Sequence, residues 1–128
     1  MFFGRAVPTS VVAMASLAQA NWTAARGNDL WVGGRQTNQV VRVDARTGKV
    51  TARYHLGELP LDGDVVAGVA WFPDRTGRLH ELPRNPTTTG RVLDSGVGRP
   101  FVIAGVDGLI WAADYTGTDL VRLDPSLS

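Results

Sequence analysis

Asp29-Leu30-Trp31-Val32-Gly33-Gly34 is the stretch that decides the fold, because the chain repeats it. Residues 69–74 and 109–114 carry a similar apolar run around a tryptophan, and the three tryptophans stand 40 residues apart. The segment that follows the first stretch, 38–44, returns as 119–124. A fixed period of this length is typical of repeat proteins, in which each unit buries its apolar face only against a neighbouring unit. The sequence therefore predicts a repeat architecture.

Each repeat contains four short segments with the residue pattern of β-strands. The first is an apolar run, the second carries the tryptophan, and the third alternates apolar and polar residues as a half-buried strand does. Besides the tryptophan stretches, the segments are 22–25, 40–44, 50–56, 64–67, 79–82, 91–94, 101–104 and 120–124, with 11–14 as a further fourth strand. Turns containing Gly, Asn or Asp, typical of hairpins, follow the first segments. Four strands in every 40 residues predict the blade of a β-propeller.

The period also divides the chain. After an eight-residue lead, three units of about 40 residues cover 9–48, 49–88 and 89–128. The fold class is therefore predicted to be all-β, with three four-stranded blades. Because a propeller ring needs at least about four blades, we expect a partial propeller or half of an oligomeric ring. A fragment of a longer propeller and a pairing of two chains are both open.

The first 20 residues allow a second interpretation, a secretory signal peptide. Arg5 precedes a mildly apolar run, and Ala18-Gln19-Ala20 has the small-x-small pattern of a cleavage site. Pro8 and Ser16 interrupt the run, and the repeat register offers the rival account that 11–14 is a strand. The protein is exported under the first interpretation and cytoplasmic under the second, so the sequence leaves the compartment open.

Composition bears on several classes of function. The net charge is +1 with both signs interspersed, so no basic stripe is present to neutralise phosphates, and nucleic-acid binding is not expected. The absence of cysteine excludes disulfides, thiolate metal sites and thiol catalysis. No apolar run approaches the ~20 residues of a membrane-spanning helix.

The repeats resemble those of known propeller families. Leu30-Trp31-Val32, 38–44, Thr47-Gly48-Lys49-Val50 and Gly98-Arg99-Pro100 are similar to YVTN-type and NHL-type repeats and to the related streptogramin (virginiamycin B) lyases. The resemblance covers roughly residues 20–128. It implies a propeller fold, and it says much less about activity, because blades are shared by many unrelated functions.

The lyase resemblance implies a magnesium ion and a catalytic histidine and glutamate, which this chain does not match. The histidine position corresponds to Asn21, Leu61 and Phe101, and the glutamate position to Gly34, Asp74 and Asp114. An essential acid–base group cannot simply be omitted, so we predict no catalytic residue, no metal and no cofactor. The only two histidines, His55 and His80, are interpreted as surface or hydrogen-bonded structural residues.

The function that the sequence favours is a non-catalytic propeller scaffold, which binds a ligand or protein through loops on one face. Residues just after the tryptophan strands would converge on one rim, and the predicted binding residues there are Arg35, Asp74, Arg75, Asp114 and Tyr115. The predicted partners are additional propeller blades, from the same or another chain, and a small molecule or protein. The alternative is a fragment of a lyase-like enzyme whose catalytic blades lie elsewhere.

Two structural roles are also predicted. The tryptophans are expected to pack between neighbouring blades, where their large apolar area is buried. Arg42 and Asp44, and again Arg122 and Asp124, lie two residues apart on one strand face. They are expected to act as a pair that braces the blade edge and its turn.

Overall fold

The computed structural model describes residues 20–34, 37–98, 100–114, 117 and 119–127. This part of the chain forms three antiparallel sheets and one short 3-10 helix, Pro125–Leu127. No helix in the described ranges is both long enough and apolar enough to cross a membrane. The predicted all-β class is confirmed.

The first sheet has four strands in sequence order, each paired with the next. They are β1 (Ala20–Arg26), β2 (Asp29–Gly34), β3 (Gln39–Asp44) and β4 (Val50–His55). Strand β2 pairs on one side with β1 and on the other with β3, so Trp31 lies opposite both Ala24 and Arg42. The tryptophan stretch is therefore a central strand, buried within its sheet as the apolar run predicts.

The second sheet repeats this order, whereas the third repeats only its first three strands among the described residues, so the prediction of four strands in every blade does not hold there. The second comprises β5 (Asp64–Val66), β6 (Val69–Pro73), β7 (Arg78–Leu82) and β8 (Val92–Asp94), and the third comprises β9 (Pro100–Val106), β10 (Leu109–Asp114) and β11 (Leu120–Leu123). Two hairpins have both central residues at positive φ, Ala67-Gly68 between β5 and β6 and Asp107-Gly108 between β9 and β10. Such turns match the twist of the flanking strands.

The first strands of the three sheets lie side by side, with β5 in contact with both β1 and β9. The backbone N–H of Ile103 donates to the carbonyl of Asp62 at 3.4 Å, and the N–H of Gly105 donates to Asp64 Oδ2 at 2.7 Å. A Cβ atom on Gly105 would lie only 2.7 Å from Val66 Cγ2, so glycine permits this close approach. The sheets thus meet along their first strands.

Two apolar cores fill the spaces between the sheets. Trp31 is 4% exposed and packs with Tyr54 of its own sheet against Phe72 of the second sheet. Trp71 is 1% exposed and packs against Ile110 of the third sheet. Successive residues of a strand point to opposite faces, so β6 contributes Phe72 to one core and Trp71 to the other. The predicted packing of these tryptophans between blades is confirmed.

Arginines reinforce the contacts between sheets. The Nη1 group of Arg42, on β3, donates to the carbonyl of Arg84 at 2.9 Å, and Tyr54 Oη donates to the carbonyl of Pro83 at 2.8 Å. In the next sheet, Arg91 lies 5.3 Å over the Trp71 ring and donates to the carbonyl of Pro125. Each arginine therefore reaches the backbone that follows the third strand of the neighbouring sheet.

The predicted pairing of Arg42 with Asp44 is wrong. Arg42 is buried and also donates to Tyr54 Oη at 3.1 Å, whereas Asp44 accepts the backbone N–H of Arg46 at 2.9 Å. The two side chains have different partners because one points into the core between sheets and the other organises the turn after β3.

Candidate functional site

Among the predicted binding residues, Asp74 is buried, with 1% of its surface exposed. It follows β6, and its Oδ1 atom accepts hydrogen bonds from Thr76 N at 2.7 Å, Thr76 Oγ1 at 2.6 Å and Arg78 N at 3.3 Å. Its Oδ2 atom lies 2.6 Å from His80 Nε2. Both carboxylate oxygens are therefore used to hold the β6–β7 hairpin, so a ligand could reach this side chain only by displacing these partners.

The pKa of Asp74 reflects this environment. Burial by itself would raise the pKa of the carboxyl group, but hydrogen bonds from Thr76, His80 and the backbone N–H groups of Thr76 and Arg78 hold it below the ordinary value of 3.8. The network thus keeps the carboxylate ionised. His80 is a buried, hydrogen-bonded residue and His55 is exposed on β4, as predicted for both.

The other predicted residues have different surroundings. Arg75 is exposed and lies 3.8 Å from the carboxylate of Glu58. Asp114 is half-buried at the end of β10, where its backbone N–H donates to the carbonyl of Asp119 at 3.0 Å. Arg35 and Tyr115 lie outside the described residues. Asp74 and Asp114 both occupy the ends of second strands in neighbouring sheets, and their joint binding role stays a prediction.

No group of three or more His, Asp or Glu side chains within the described ranges is arranged to hold a metal ion. The strongest candidate for a binding site is instead a cleft of about 570 Å³ between the first and second sheets. It lies at the end of the strands that carries the β1–β2, β3–β4 and β5–β6 turns, opposite the end at which Asp74 and Asp114 lie. Its walls include Arg26, Asp29, Trp31, Gly68, Leu82 and Arg84. We call it the inter-sheet cleft.

Two of the three arginines that line the inter-sheet cleft form ion pairs with aspartates, and the third does not. Arg84 forms an ion pair with Asp29, and Arg46 lies 3.4 Å from Asp44. The guanidinium group of Arg26 is exposed and has no hydrogen-bond or ion-pair partner among the residues that the structure describes. Its Nη1 atom lies close to Gly68, 2.6 Å from the position that a Cβ on that glycine would take. One cation in the cleft is therefore available to an anion.

Trp31, which lines the cleft, carries an unusual buried group. Its indole Nε1–H is buried and has no acceptor in the described part of the chain. A buried donor without a partner costs about 1–3 kcal/mol relative to a hydrogen-bonded one. Because buried polar groups are usually paired, this N–H is an exception within the first core.

Sequence reasoning missed this cleft, because its residues are far apart in the chain and belong to different sheets. In the sequence, the segment Arg26-Gly27-Asn28 has only the residue pattern of a hairpin turn. The available signal was an arginine beside that turn and a second turn at Gly68 one period later.

Comparisons with known proteins bear on the fold. No protein-family model matches the chain, and no curated protein matches it in sequence. Among solved structures it is similar to BamB from Moraxella catarrhalis, with a TM-score of 0.70, 13% identity, and coverage of 85% of this chain and 33% of that one. It is also similar to Kuenenia stuttgartiensis hydrazine synthase, with a TM-score of 0.73, 17% identity, and coverage of 97% and 37%.

A third similar structure is the WD40 β-propeller domain of Doa1, with a TM-score of 0.61, 13% identity, and coverage of 75% of this chain and 32% of that one. The chain thus spans about a third of the length of each of these three structures. At these identities the similarity shows the fold alone. The predicted fold, a partial β-propeller built from repeated blades, is confirmed.

Proposed function

We propose that this chain is a non-catalytic β-propeller module that binds a ligand or protein partner and works as part of a larger ring. The observation that carries the proposal is the outward face of the third sheet. Trp111 occupies the position equivalent to Trp31 and Trp71, yet it is only half-buried. Val106 and Leu120, on the same face, are 51% and 65% exposed. We call this surface the open face.

The open face has the groups that join the other sheets. The guanidinium of Arg122 lies 5.7 Å over the Trp111 ring, as Arg91 lies over Trp71. Arg42, on β3 of the first sheet, occupies the position equivalent to Arg122 and donates a hydrogen bond to the backbone of the neighbouring sheet. A further blade packed on this face would bury Trp111. It would also provide a backbone carbonyl for Arg122, as Arg84 does for Arg42. Additional propeller blades are therefore the partners that we propose, supplied by the same polypeptide or by another chain.

The repeats support a finer proposal, that the blades are of the YVTN or NHL type. The proposed binding rim consists of the loops after the second strands, with Arg35, Asp74, Arg75, Asp114 and Tyr115. Because the side chain of Asp74 is buried, only the turn that it holds would contact a ligand. We do not propose lyase activity, because the positions that correspond to the lyase histidine, Asn21, Leu61 and Phe101, hold other residues.

The ring proposal is tested by measuring the mass of the expressed chain by light scattering over a range of concentrations. We expect assemblies of more than one chain, because an exposed apolar sheet face favours association. Leu120→Lys places a charge on the open face and should shift the mass toward a single chain. Leu127→Lys is the matched control, since Leu127 is 83% exposed in the 3-10 helix and lies outside the face. A folded wild-type chain that stays single at every concentration would contradict the proposal.

A further inference from the structure

We infer that the inter-sheet cleft is a binding site for a small organic monocarboxylate with an apolar body. This inference extends the binding role proposed above, but it depends on different residues. The cleft is lined by residues of the first and second sheets and their loops, so it does not require further blades. Its volume of about 570 Å³ falls within the range of about 300–1,000 Å³ typical of small-molecule sites.

Arg26 is the proposed anchor for the carboxylate. The guanidinium group presents two parallel N–H donors, which match the two oxygens of a carboxylate. The cleft contains three arginines and two aspartates, and Arg46 and Arg84 are each engaged by one of the aspartates. One uncompensated positive charge is left at Arg26. A ligand with a single negative charge balances it without competing for the existing ion pairs, which is why a monoanion is favoured over a dianion.

Trp31 is the second recognition element. Its Nε1–H is buried and has no acceptor in the described part of the chain, so a ligand oxygen reaches it only when the side chains that cover the indole move aside. Beside the indole, the apolar lining comprises the half-buried Val69 and the buried Ala70 and Leu82 of the second sheet. An apolar body packed on this wall would direct the polar end of the ligand toward Arg26 and the indole. Donor, cation and apolar wall together select an organic carboxylate rather than an inorganic anion.

The test is an NMR titration of the 15N-labelled full chain with sodium phenylacetate. The chain has four tryptophans, and the indole N–H resonance of Trp31 is assigned by its absence from the spectrum of Trp31→Phe. We expect phenylacetate to shift this resonance and the Gly68 amide in a saturable way. Phenylacetamide, which has the same apolar body and no charge, and inorganic phosphate, which has the charge and no apolar body, should each bind much more weakly.

Variants assign the roles of the two residues. Arg26→Gln should weaken phenylacetate binding about tenfold, the usual effect of losing one charge-assisted hydrogen bond. Trp31→Phe removes the N–H while keeping a ring, and should weaken binding about fivefold, read from the Gly68 amide. Arg53→Gln is the matched control, because Arg53 is exposed on the edge strand β4 and does not line the cleft. It should bind like the wild-type chain.

Several outcomes would overturn the inference. These are no saturable shift at Trp31 with millimolar phenylacetate, equal binding of phenylacetamide or phosphate, or an equal loss in Arg26→Gln and Arg53→Gln. If Trp31→Phe does not fold, the Arg26→Gln comparison still decides the result. Repeating the titration on Leu120→Lys separates this inference from the ring proposal, because that change leaves every cleft residue in place. The ring proposal can therefore be contradicted while the cleft still binds phenylacetate. The cleft inference can likewise be contradicted while the chain still assembles.

Discussion

His80 Nε2 donates a hydrogen bond to Asp74 Oδ2 at 2.6 Å, and both side chains are buried. The other carboxylate oxygen of Asp74 accepts the hydroxyl and backbone N–H of Thr76. A side-chain network of this kind joins the end of one central strand to the middle of the next, so it fixes the β6–β7 hairpin within the second sheet. It also makes the stability of the sheet depend on the ionisation of one carboxyl group.

The first prediction concerns pH. Because the folded pKa of Asp74 is depressed below its ordinary value of 3.8, its contribution to stability is fully present above that value. The contribution is lost as the pH falls below 3.8 and through the folded pKa. Asp74→Asn should lower the free energy of unfolding at neutral pH by about 2 kcal/mol. The difference between the two chains should shrink below pH 4, as measured by urea unfolding at several pH values.

Asp107→Asn is the control for this prediction. Asp107 is exposed in the β9–β10 turn at positive φ, a conformation that asparagine accepts. Its stability difference from the wild-type chain should be small at every pH. A constant difference for Asp74→Asn across the acid range would contradict the assigned role of the carboxylate.

The second prediction compares two tryptophans at equivalent positions. Trp71→Ala should lower the free energy of unfolding by about 3–5 kcal/mol, because it opens a cavity in the core between the second and third sheets. Trp111→Ala, on the open face, should cost about 1 kcal/mol under conditions where the chain is single, since less apolar area is lost from the interior. Urea unfolding gives both values. Equal costs would show that the two indoles have equivalent surroundings, contrary to the structure.

The third prediction concerns the contact between first strands. Gly105→Ala should destabilise the chain by about 1–3 kcal/mol, because the new Cβ would press on Val66 and on the carbonyl of Val65 at 2.9 Å. Gly98→Ala is the matched control, since a Cβ there meets no atom within 4 Å. Thermal unfolding of both variants measures the difference. A neutral Gly105→Ala would mean that β5 and β9 are not held at this separation.

The fourth prediction concerns backbone strain. Ala67 has a φ of 48°, in the left-handed region that disfavours residues with a Cβ atom. Ala67→Gly should raise the free energy of unfolding by about 0.5–1 kcal/mol, and the melting temperature with it. Ala45→Gly, at an exposed turn residue with φ outside that region, should lower it by about 0.5–1 kcal/mol. Changes of the same sign in both variants would contradict the assigned strain.

The repeat of the tryptophan stretch was sufficient to predict the strands and their class. The predicted segments 40–44 and 79–82 correspond to Gln39–Asp44 and Arg78–Leu82, since apolar residues that alternate with polar ones specify a strand locally. Side-chain partners were harder to predict. Arg42 and Asp44 share a strand face in the sequence pattern, but Arg42 is drawn into a contact with Tyr54 and Arg84, which no local pattern contains. Whether the predicted rim residues bind anything stays a prediction.

The sequence by itself determined that the chain forms repeated antiparallel sheets and that Trp31 and Trp71 pack between blades, because both follow from a 40-residue period and local alternation. Only the tertiary structure decided which surfaces are covered. It placed Arg26 beside Gly68 and buried Asp74, and it left the face around Trp111 open. The physical reason is that a strand pattern specifies which residues share a face, whereas a cleft or an open face depends on which distant sheet lies opposite.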